Sequence, residues 1–274
     1  MTTPATSAHT ASAPRLDGWD THVHIFDGHA PAQRGHYQPA HHPIDHIEAE
    51  AQRLGVGHLV LVQPSVYGTD NQLVLNALQA SGGRHRAVVV LDGAVQTSSL
   101  EAMHVLGVRG VRFNLVSPVG NGHQALQALA GPLRELRWHV QWYARPEQLE
   151  QIAELHQRTR LPCVLDHLAG LHAQVPAGDP AWGALQRLAD AGAWVKLSGW
   201  YRLGDQAPYA QLTEHIRRVA ALAPERLVWG SDWPHTAFDT AAMPAYRSVW
   251  APVVEALGAS RAQAVLQAGA SLYA

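Results

Sequence analysis

Cysteine is almost absent from this chain: Cys163 is the single instance in 274 residues. One thiol excludes an internal disulfide framework and fits a reducing compartment, so we expect a cytoplasmic protein. Cys163 lies inside an apolar run. We expect it to have a structural role there, because reactive thiols need a partly exposed, electropositive setting.

Charge is scarce as well. Charged residues make up 15% of the sequence, the formal net charge is −2 and the pI is near 6.8. A polyanion would find no basic surface, so we expect no nucleic-acid partner. No apolar run approaches the ~20 residues that cross a bilayer, so we expect no membrane contact either. Residues 1–15 are small and polar without the apolar segment of a signal peptide, and we predict a disordered tail there, before one domain over 16–274.

Two common catalytic signatures are missing. No Gly-x-Gly-x-x-Gly turn follows the first predicted strand, which argues against a dinucleotide site. No Gly-x-Ser-x-Gly motif is present to indicate a serine hydrolase. Any catalysis must therefore rest on other groups.

Short apolar runs and helical periodicities alternate along the chain, which is 47% hydrophobic. The runs are continuous rather than alternating, as in strands that are covered on both faces. Eight such units in a chain of this length predict an α/β fold, a single (β/α)8 TIM barrel, with an open doubly wound sheet as the alternative. The predicted strands are 19–26, 58–63, 87–91, 110–114, 139–143, 162–167, 194–197 and 226–230.

Polar residues cluster at the predicted strand ends, which share one face in a TIM barrel. His22 and His24, two apart in a strand, point to the same side. A second group, Asp232 and His235, follows the last strand. The full set is His22, His24, Gln63, Ser65, Arg112, Asn114, Tyr143, Asp166 or His167, Lys196 or Ser198, Arg202, Asp232 and His235.

Each of these residues also has a structural explanation. A lone histidine or serine at a strand end is often a satisfied polar group, Arg112 and Lys196 can form ion pairs inside a barrel, and Asp232 can cap a helix. One active site, however, explains all of them together. An acid that serves as a base, imidazoles that donate hydrogen bonds and guanidiniums that hold an anion are suited to hydrolysis.

The motifs DTHVHIFD, VQPSVYGTDN, GVRGVRFNL, CVLDHLAG, VKLSG and LVWGSDWPH resemble the amidohydrolase-2 branch of the amidohydrolase superfamily, which includes pyrone-dicarboxylate and sugar-lactone hydrolases. The resemblance runs from about Leu16 to Tyr273. It implies that Asp232 activates water and that His22, His24 and His167 polarise a lactone carbonyl. It further implies that the substrate is contacted by Arg112, Tyr143, Arg202, Ser65 and Tyr37.

Two positions and one segment depart from the family pattern. Pro118 replaces a second arginine after the VRFN motif, which makes a dicarboxylate substrate doubtful and favours a small acidic lactone, muconolactone-like or aldarolactone-like. Tyr67 replaces a histidine, which concerns specificity. The closing segment reads Ala268–Tyr273 where the family has Asn-Pro-x-Arg-Leu-Tyr, which concerns only the last helix.

The fifth predicted strand bears on whether catalysis uses a metal ion. Zinc-binding members of the superfamily take a further histidine from the fifth strand, whereas this strand ends in Gln141-Trp142-Tyr143. We therefore expect metal-independent catalysis. The alternative is a single zinc on His22, His24 and Asp232, with His167 as a substitute ligand. A zinc-dependent decarboxylase and a non-catalytic barrel that binds a sugar acid are the competing functions. The sequence does not indicate an oligomeric state.

Overall fold

The computed structural model of the protein describes residues 16–34, 36–117 and 122–274. The predicted tail, 1–15, and Pro118 lie outside the described residues. Eight strands alternate with helices from the first strand to the last. The strands are β1 Gly18–Val23, β2 Val56–Val62, β3 Arg86–Val89, β4 Val108–Asn114, β5 His139–Tyr143, β6 Cys163–Leu165, β7 Trp194–Leu197 and β8 Leu227–Trp229.

All seven pairs of consecutive strands are parallel, in the order β1 to β8. The sheet closes between β1 and β8, where the Thr21 hydroxyl donates to the Trp229 carbonyl at 2.8 Å. Just beyond, the Asp232 N–H donates to the His22 carbonyl at 2.8 Å. The TIM barrel is confirmed, and the open doubly wound alternative is wrong because its edge strands would not meet.

Ten α-helices are found in the described residues, most of them packed around the outside of the barrel. They are α1 Ile44–Gln52, α2 Gln72–Ala80, α3 Thr97–Leu106, α4 Leu126–Glu135, α5 Leu149–Thr159, α6 Pro180–Asp190, α7 Thr213–Leu222, α8 Tyr246–Leu257, α9 Ala259–Gln267 and α10 Gly269–Tyr273. Their apolar faces and the outward side chains of the strands form one large buried core. None of these helices is long and apolar enough to cross a membrane.

Both apolar and polar side chains point into the barrel, because alternate residues of each strand face inward. Trp19, Val60, Val62, Val88 and Tyr273 form an apolar cluster inside it. Further along β4, β5 and β7, and just after β6, inward positions carry polar groups, namely Arg112, Gln141, Lys196 and Asp166, all of them buried. The interior therefore combines an apolar cluster with a buried polar network.

Element boundaries differ from the predictions by a few residues. Asp70 is a residue type that commonly caps helices and would predict a helix start at this point, but α2 is preceded by Asn71, one residue later. Asp70 still contributes, since its carboxylate accepts from the Gln72 N–H at 3.1 Å. The predicted sixth strand, 162–167, is shorter in the structure and ends at Leu165. His167 lies in the turn that follows, with φ of +47°.

Candidate active site

Three histidines and one aspartate converge at the carboxyl ends of the strands. His22 Nε2 and His24 Nε2 are 3.2 Å apart. Asp232 Oδ1 lies 3.6 Å from His22 Nε2, 3.4 Å from His24 Nε2 and 3.9 Å from His167 Nε2. All four side chains are buried. The structure thus brings together the four residues that we predicted to be catalytic.

The two oxygens of Asp232 have different surroundings. Oδ2 accepts from the Tyr201 hydroxyl at 2.6 Å and from Arg202 Nε at 2.5 Å. Oδ1 is buried without a hydrogen-bond partner among the described residues and faces the histidines. Burial opposes ionisation of this acid, but the Arg202 charge, with smaller contributions from the histidines, outweighs burial and holds the pKa of Asp232 well below its usual value. Asp232 is therefore an anion with one oxygen available.

The second nitrogen of each histidine contacts a protein group that bears on its tautomer. His24 Nδ1 is 2.8 Å from the Val62 carbonyl, which can only accept, so His24 carries its proton on Nδ1. His22 Nδ1 is 3.2 Å from the Asp166 carboxylate, which favours the same tautomer. His167 Nδ1 contacts the Ser198 hydroxyl at 2.9 Å, a group that either donates or accepts. In their neutral forms His22 and His24 therefore direct Nε2 lone pairs at each other.

Burial keeps these imidazoles neutral. For all three histidines, burial is the largest cause of a lowered pKa. The pKa of His24 is lowered, that of His22 lies well below its usual value, and that of His167 is lowered to about 4. The same holds for His235, which lies next to Asp232 and has a pKa lowered to about 4. The site is thus built from neutral imidazoles around a carboxylate at neutral pH.

Beneath His22 lies a buried polar network that the sequence did not reveal as a unit. Asp166 Oδ2 accepts from Arg112 Nε at 3.0 Å and from Gln141 Nε2 at 3.1 Å. Lys196 Nζ lies 3.6 Å from Asp166 Oδ1. Burial opposes ionisation of Asp166, but His22, Lys196 and Arg112 together hold its pKa well below the usual value. The sequence left Asp166 and His167 as alternatives, and the structure uses both.

An open cavity of about 240 Å³ leads to this cluster. His24 forms part of its wall, and the five residues that we predicted to bind substrate line it as well: Arg112, Tyr143, Arg202, Ser65 and Tyr37. The guanidinium carbons of Arg112 and Arg202 lie 5.4 and 6.0 Å from the centre of the Tyr143 ring. Two cations and an aromatic ring therefore form one wall of the cavity, a suitable surface for an anionic, flat ligand.

Tyr201, which binds Asp232, is absent from the predicted set. Asn114 is in that set without an assigned role, and its Nδ2 donates to Ser65 Oγ at 2.7 Å inside the cavity. Gln141 was considered only as a missing metal ligand, whereas it bridges Lys196 and Asp166. Alternation along β5 places Gln141 on the inward face, and this signal was available in the sequence.

A larger cavity, about 470 Å³, lies between α5 and α6, away from the histidines. Cys163 is part of its lining, and burial raises the pKa of this thiol far above its usual value. The thiol therefore stays protonated at neutral pH, in line with the structural role that we predicted for it.

The cluster also fits a metal ion. His22, His24 and Asp232 offer three ligand atoms within 4.8 Å of one another, and so do His22, Asp166 and His167. Facing lone pairs on His22 and His24 repel each other unless a proton or a cation lies between them. Partners such as Val62 and Asp166 are also typical of the groups that orient metal-binding imidazoles. A zinc ion held by His22, His24 and Asp232 would supply a Lewis acid at the end of the cavity.

The barrel, with its acid and imidazoles at the carboxyl ends of the strands, defines a barrel enzyme of the hydrolytic type. Comparison with known proteins gives the family. The sequence model of the amidohydrolase family (Amidohydro_2) matches residues 19–260, so the chain belongs to this family and is a hydrolase.

Several known proteins are similar over most of their length. The 4-sulfomuconolactone hydrolase of Rhizobium radiobacter is 30% identical over 249 residues, which cover 88% of this chain and 83% of that protein. The 2-pyrone-4,6-dicarboxylate hydrolase of Comamonas testosteroni is 28% identical over 234 residues, or 79% and 76% of the two chains. A crystal structure from Pseudomonas putida, described as a candidate 2-pyrone-4,6-dicarboxylic acid hydrolase, matches with a TM-score of 0.83 and 32% identity, covering 94% of this chain and 98% of that one.

Proposed function

We propose that this protein is a lactonase that opens a small acidic lactone by attack of water on the ring carbonyl, with Asp232 as the general base. The observation that carries the proposal is the free Oδ1 of Asp232, buried and aimed at three imidazole nitrogens next to a cavity with two guanidiniums. The similar proteins from Rhizobium radiobacter and Comamonas testosteroni, named as hydrolases of a sulfomuconolactone and of a pyrone dicarboxylate, support the substrate class.

The tautomers of the histidines indicate which groups bind the attacking water and which polarises the carbonyl. Asp232 Oδ1 and the Nε2 lone pairs of His22 and His24 are all acceptors, so they can hold and orient the two hydrogens of an attacking water. His22 and His24 are then not carbonyl donors in their neutral forms, which differs from the role that the family resemblance implies for both. His167 Nε2 has no hydrogen-bond partner among the described residues, so it can donate to the carbonyl oxygen when the Ser198 hydroxyl donates to Nδ1.

Charge on the substrate is the second part of the proposal. Arg112 and Arg202 are each bound through Nε to a buried acid, and both also line the cavity. These ion pairs fix the orientation of each guanidinium, which suits it to a carboxylate or another planar acidic group. A lactone with one acidic group, such as a muconolactone or an aldarolactone, fits a cavity of about 240 Å³ with this wall.

Replacement of the base tests the proposal. Asn retains the shape of Asp232, and both residue types tolerate the left-handed backbone found there, with φ of +61°. We expect Asp232→Asn to lose at least ~10²-fold in kcat on a lactone panel followed by proton release, with KM little changed. The exposed Asp190→Asn is the matched control. Near-normal turnover in Asp232→Asn would remove this residue from the reaction, and no hydrolysis by the wild type would leave a binding barrel.

Metal dependence needs a separate test, because the sequence and the arrangement of the side chains favour different answers. The missing fifth-strand histidine predicts metal-independent turnover, whereas the arrangement of donors in the structure fits zinc. Prolonged chelation followed by elemental analysis and assay decides between them. Full activity with substoichiometric metal supports the first prediction. Loss that zinc restores supports the second, and carbon dioxide among the products would then indicate the decarboxylase alternative.

A further inference from the structure

Lys196 is the only lysine in the 274-residue sequence, and every other basic side chain apart from histidine is an arginine. This one lysine is completely buried inside the barrel, on β7. A buried ammonium is costly unless it is paired and hydrogen-bonded. Its contacts therefore indicate what it does.

The ammonium of Lys196 donates to the Thr21 carbonyl and to Gln141 Oε1, each at 2.7 Å. It also lies 3.6 Å from Asp166 Oδ1 and 3.5 Å from His22 Nδ1. These groups come from β1, β5 and the end of β6. Lys196 thus links three strands below the site, and Thr21, one of the groups it binds, precedes His22 in the chain.

The contact with Gln141 has a consequence for orientation. An ammonium only donates, so the amide oxygen of Gln141 must face Lys196 and its NH₂ group must face away. That NH₂ group donates to Asp166 Oδ2 at 3.1 Å. Lys196 therefore holds Asp166 in two ways, by its charge near Oδ1 and through Gln141 at Oδ2.

Asp166 in turn lies 3.2 Å from His22 Nδ1. Two groups compete at this nitrogen: the Lys196 ammonium at 3.5 Å favours a lone pair on Nδ1, and the nearer Asp166 carboxylate at 3.2 Å favours a proton there. The nearer, ionised and immobilised carboxylate keeps the proton of His22 on Nδ1 and the lone pair on Nε2, toward Asp232. We propose that Lys196 is a positioning residue that sets the tautomer and the orientation of His22 through Asp166 and Gln141. The effect on catalysis rests on the proposed lactonase function, whereas the effect on the tautomer does not.

Arginine cannot take this place. Its planar guanidinium is larger and has a fixed donor geometry, while the compact ammonium reaches groups in several directions within a closed space. The geometry therefore accounts for a lysine rather than an arginine at this position. Lys196→Arg should behave as a defective variant rather than as a conservative one.

The kinetic experiment compares Lys196→Met, which keeps the length of the stem, with the exposed Arg226→Met as a control for the loss of one positive charge. We expect Lys196→Met to lower kcat on the acidic lactone by about 10–100-fold with little change in KM, by analogy with the loss of groups that orient metal-binding histidines. Arg226→Met should match the wild type. Unchanged kcat in folded Lys196→Met, or a loss confined to KM, would overturn the proposal.

A spectroscopic experiment gives an answer even if no lactone is turned over. Protein with ¹⁵N-labelled lysine has one Nζ signal, and this signal should move in Asp166→Asn but not in Arg226→Met. With ¹⁵N-labelled histidine, the His22 signals, identified as those lost in His22→Gln, should report Nδ1 protonation in the wild type and a change of tautomer in Lys196→Met. The mechanism would be refuted if the Nζ signal did not shift in Asp166→Asn, or if the His22 tautomer were unchanged in Lys196→Met.

Folding of the variants is checked by circular dichroism. If Lys196→Met does not fold, Gln141→Leu tests the same connection with the ammonium retained. That variant should lower kcat in the same direction and alter the His22 signals. Normal kcat and normal His22 signals in Gln141→Leu would count against the proposal.

Discussion

At the scale of single residues, the backbone at the site is unusual. Asp232, His167 and His235 all have positive φ, at +61°, +47° and +58°. Such conformations cost of the order of 1–3 kcal/mol and persist where the surrounding structure enforces them. For Asp232, the N–H bond to the His22 carbonyl across the barrel closure supplies part of that constraint. The strain lies in the turns that present these side chains to the site.

Arg112 provides the prediction on substrate charge. Its contact with a substrate carboxylate would contribute about 1.5–3 kcal/mol, so Arg112→Met should lower kcat/KM on an acidic lactone by roughly 10–150-fold. Because Arg112 also binds Asp166, a neutral lactone will lose some activity too. The informative quantity is the ratio of the two losses, measured on a charged and an uncharged lactone.

Equal losses on both substrates would assign Arg112 to support of Asp166 alone. The control is Arg109→Met, which removes a partly buried arginine from the same strand at a position that does not line the cavity. This variant should keep the wild-type selectivity.

Part of the site was predictable at this scale and part was not. Two-residue alternation correctly placed His22 and His24 together. It could not show that the Val62 carbonyl fixes the tautomer of His24, because backbone acceptors carry no sequence signal. Nor could it show that both Asp166 and His167 point toward the site, since this depends on the left-handed turn at His167.

At the scale of elements, the strands were the most predictable feature. The strand His139–Tyr143 and the strand Trp194–Leu197 have the predicted ends, because continuous apolar runs bounded by polar residues leave little choice. Helix starts were less predictable. The segment before α4 begins with a 3₁₀ turn, His123–Ala125, and α5 is preceded by another, Pro146–Gln148. Periodicity of apolar residues does not separate such turns from the helix that follows.

The short helix α10 provides the prediction at this scale. Tyr273 is fully buried and stacks near Trp19, with the ring centres 6.2 Å apart. Removing the ring leaves a cavity in the interior cluster, so Tyr273→Ala should lower the free energy of unfolding by about 3–5 kcal/mol in urea titrations.

The matched control is Tyr273→Phe. The Tyr273 hydroxyl is buried without a hydrogen-bond partner among the described residues, so its removal should cost little or even stabilise the protein. A large loss of stability in Tyr273→Phe would show that the hydroxyl has a partner. A small loss in Tyr273→Ala would show that α10 does not hold the barrel together.

At the scale of the whole molecule, the low charge content conceals a strongly charged interior. Asp20, Asp166, Asp232, Arg112 and Lys196 are all buried. Most of these charged residues lie around the histidines inside the barrel, so the overall charge content does not indicate the site. Composition alone could not reveal this concentration of charge inside.

Buried histidines should make the stability of the whole protein depend on pH. In three of them, burial is the largest cause of a lowered pKa: the pKa of His139 is lowered to about 3, and those of His167 and His235 to about 4. Below about pH 6.5 the unfolded chain binds protons at these sites and the folded protein does not, so the free energy of unfolding falls as the pH drops from about 6.5 toward 4. Asp20 acts in the opposite direction, because burial raises its pKa to about 6 and acidification then favours the folded state. Three histidines outweigh this one acid.

The histidine that can be removed without touching the catalytic cluster is His139, which packs against Tyr273 in the barrel with the ring centres 5.3 Å apart. Urea titrations at pH 7 and pH 4.5 should show a clear loss of stability for the wild type at the lower pH. His139→Gln should reduce that difference by up to about 3 kcal/mol, because the unfolded chain no longer gains a proton at this position. The exposed His46→Gln should leave the difference unchanged. A pH dependence as steep in His139→Gln as in the wild type would mean that the folded protein already binds a proton at His139, and stability that rises on acidification would show that Asp20 dominates.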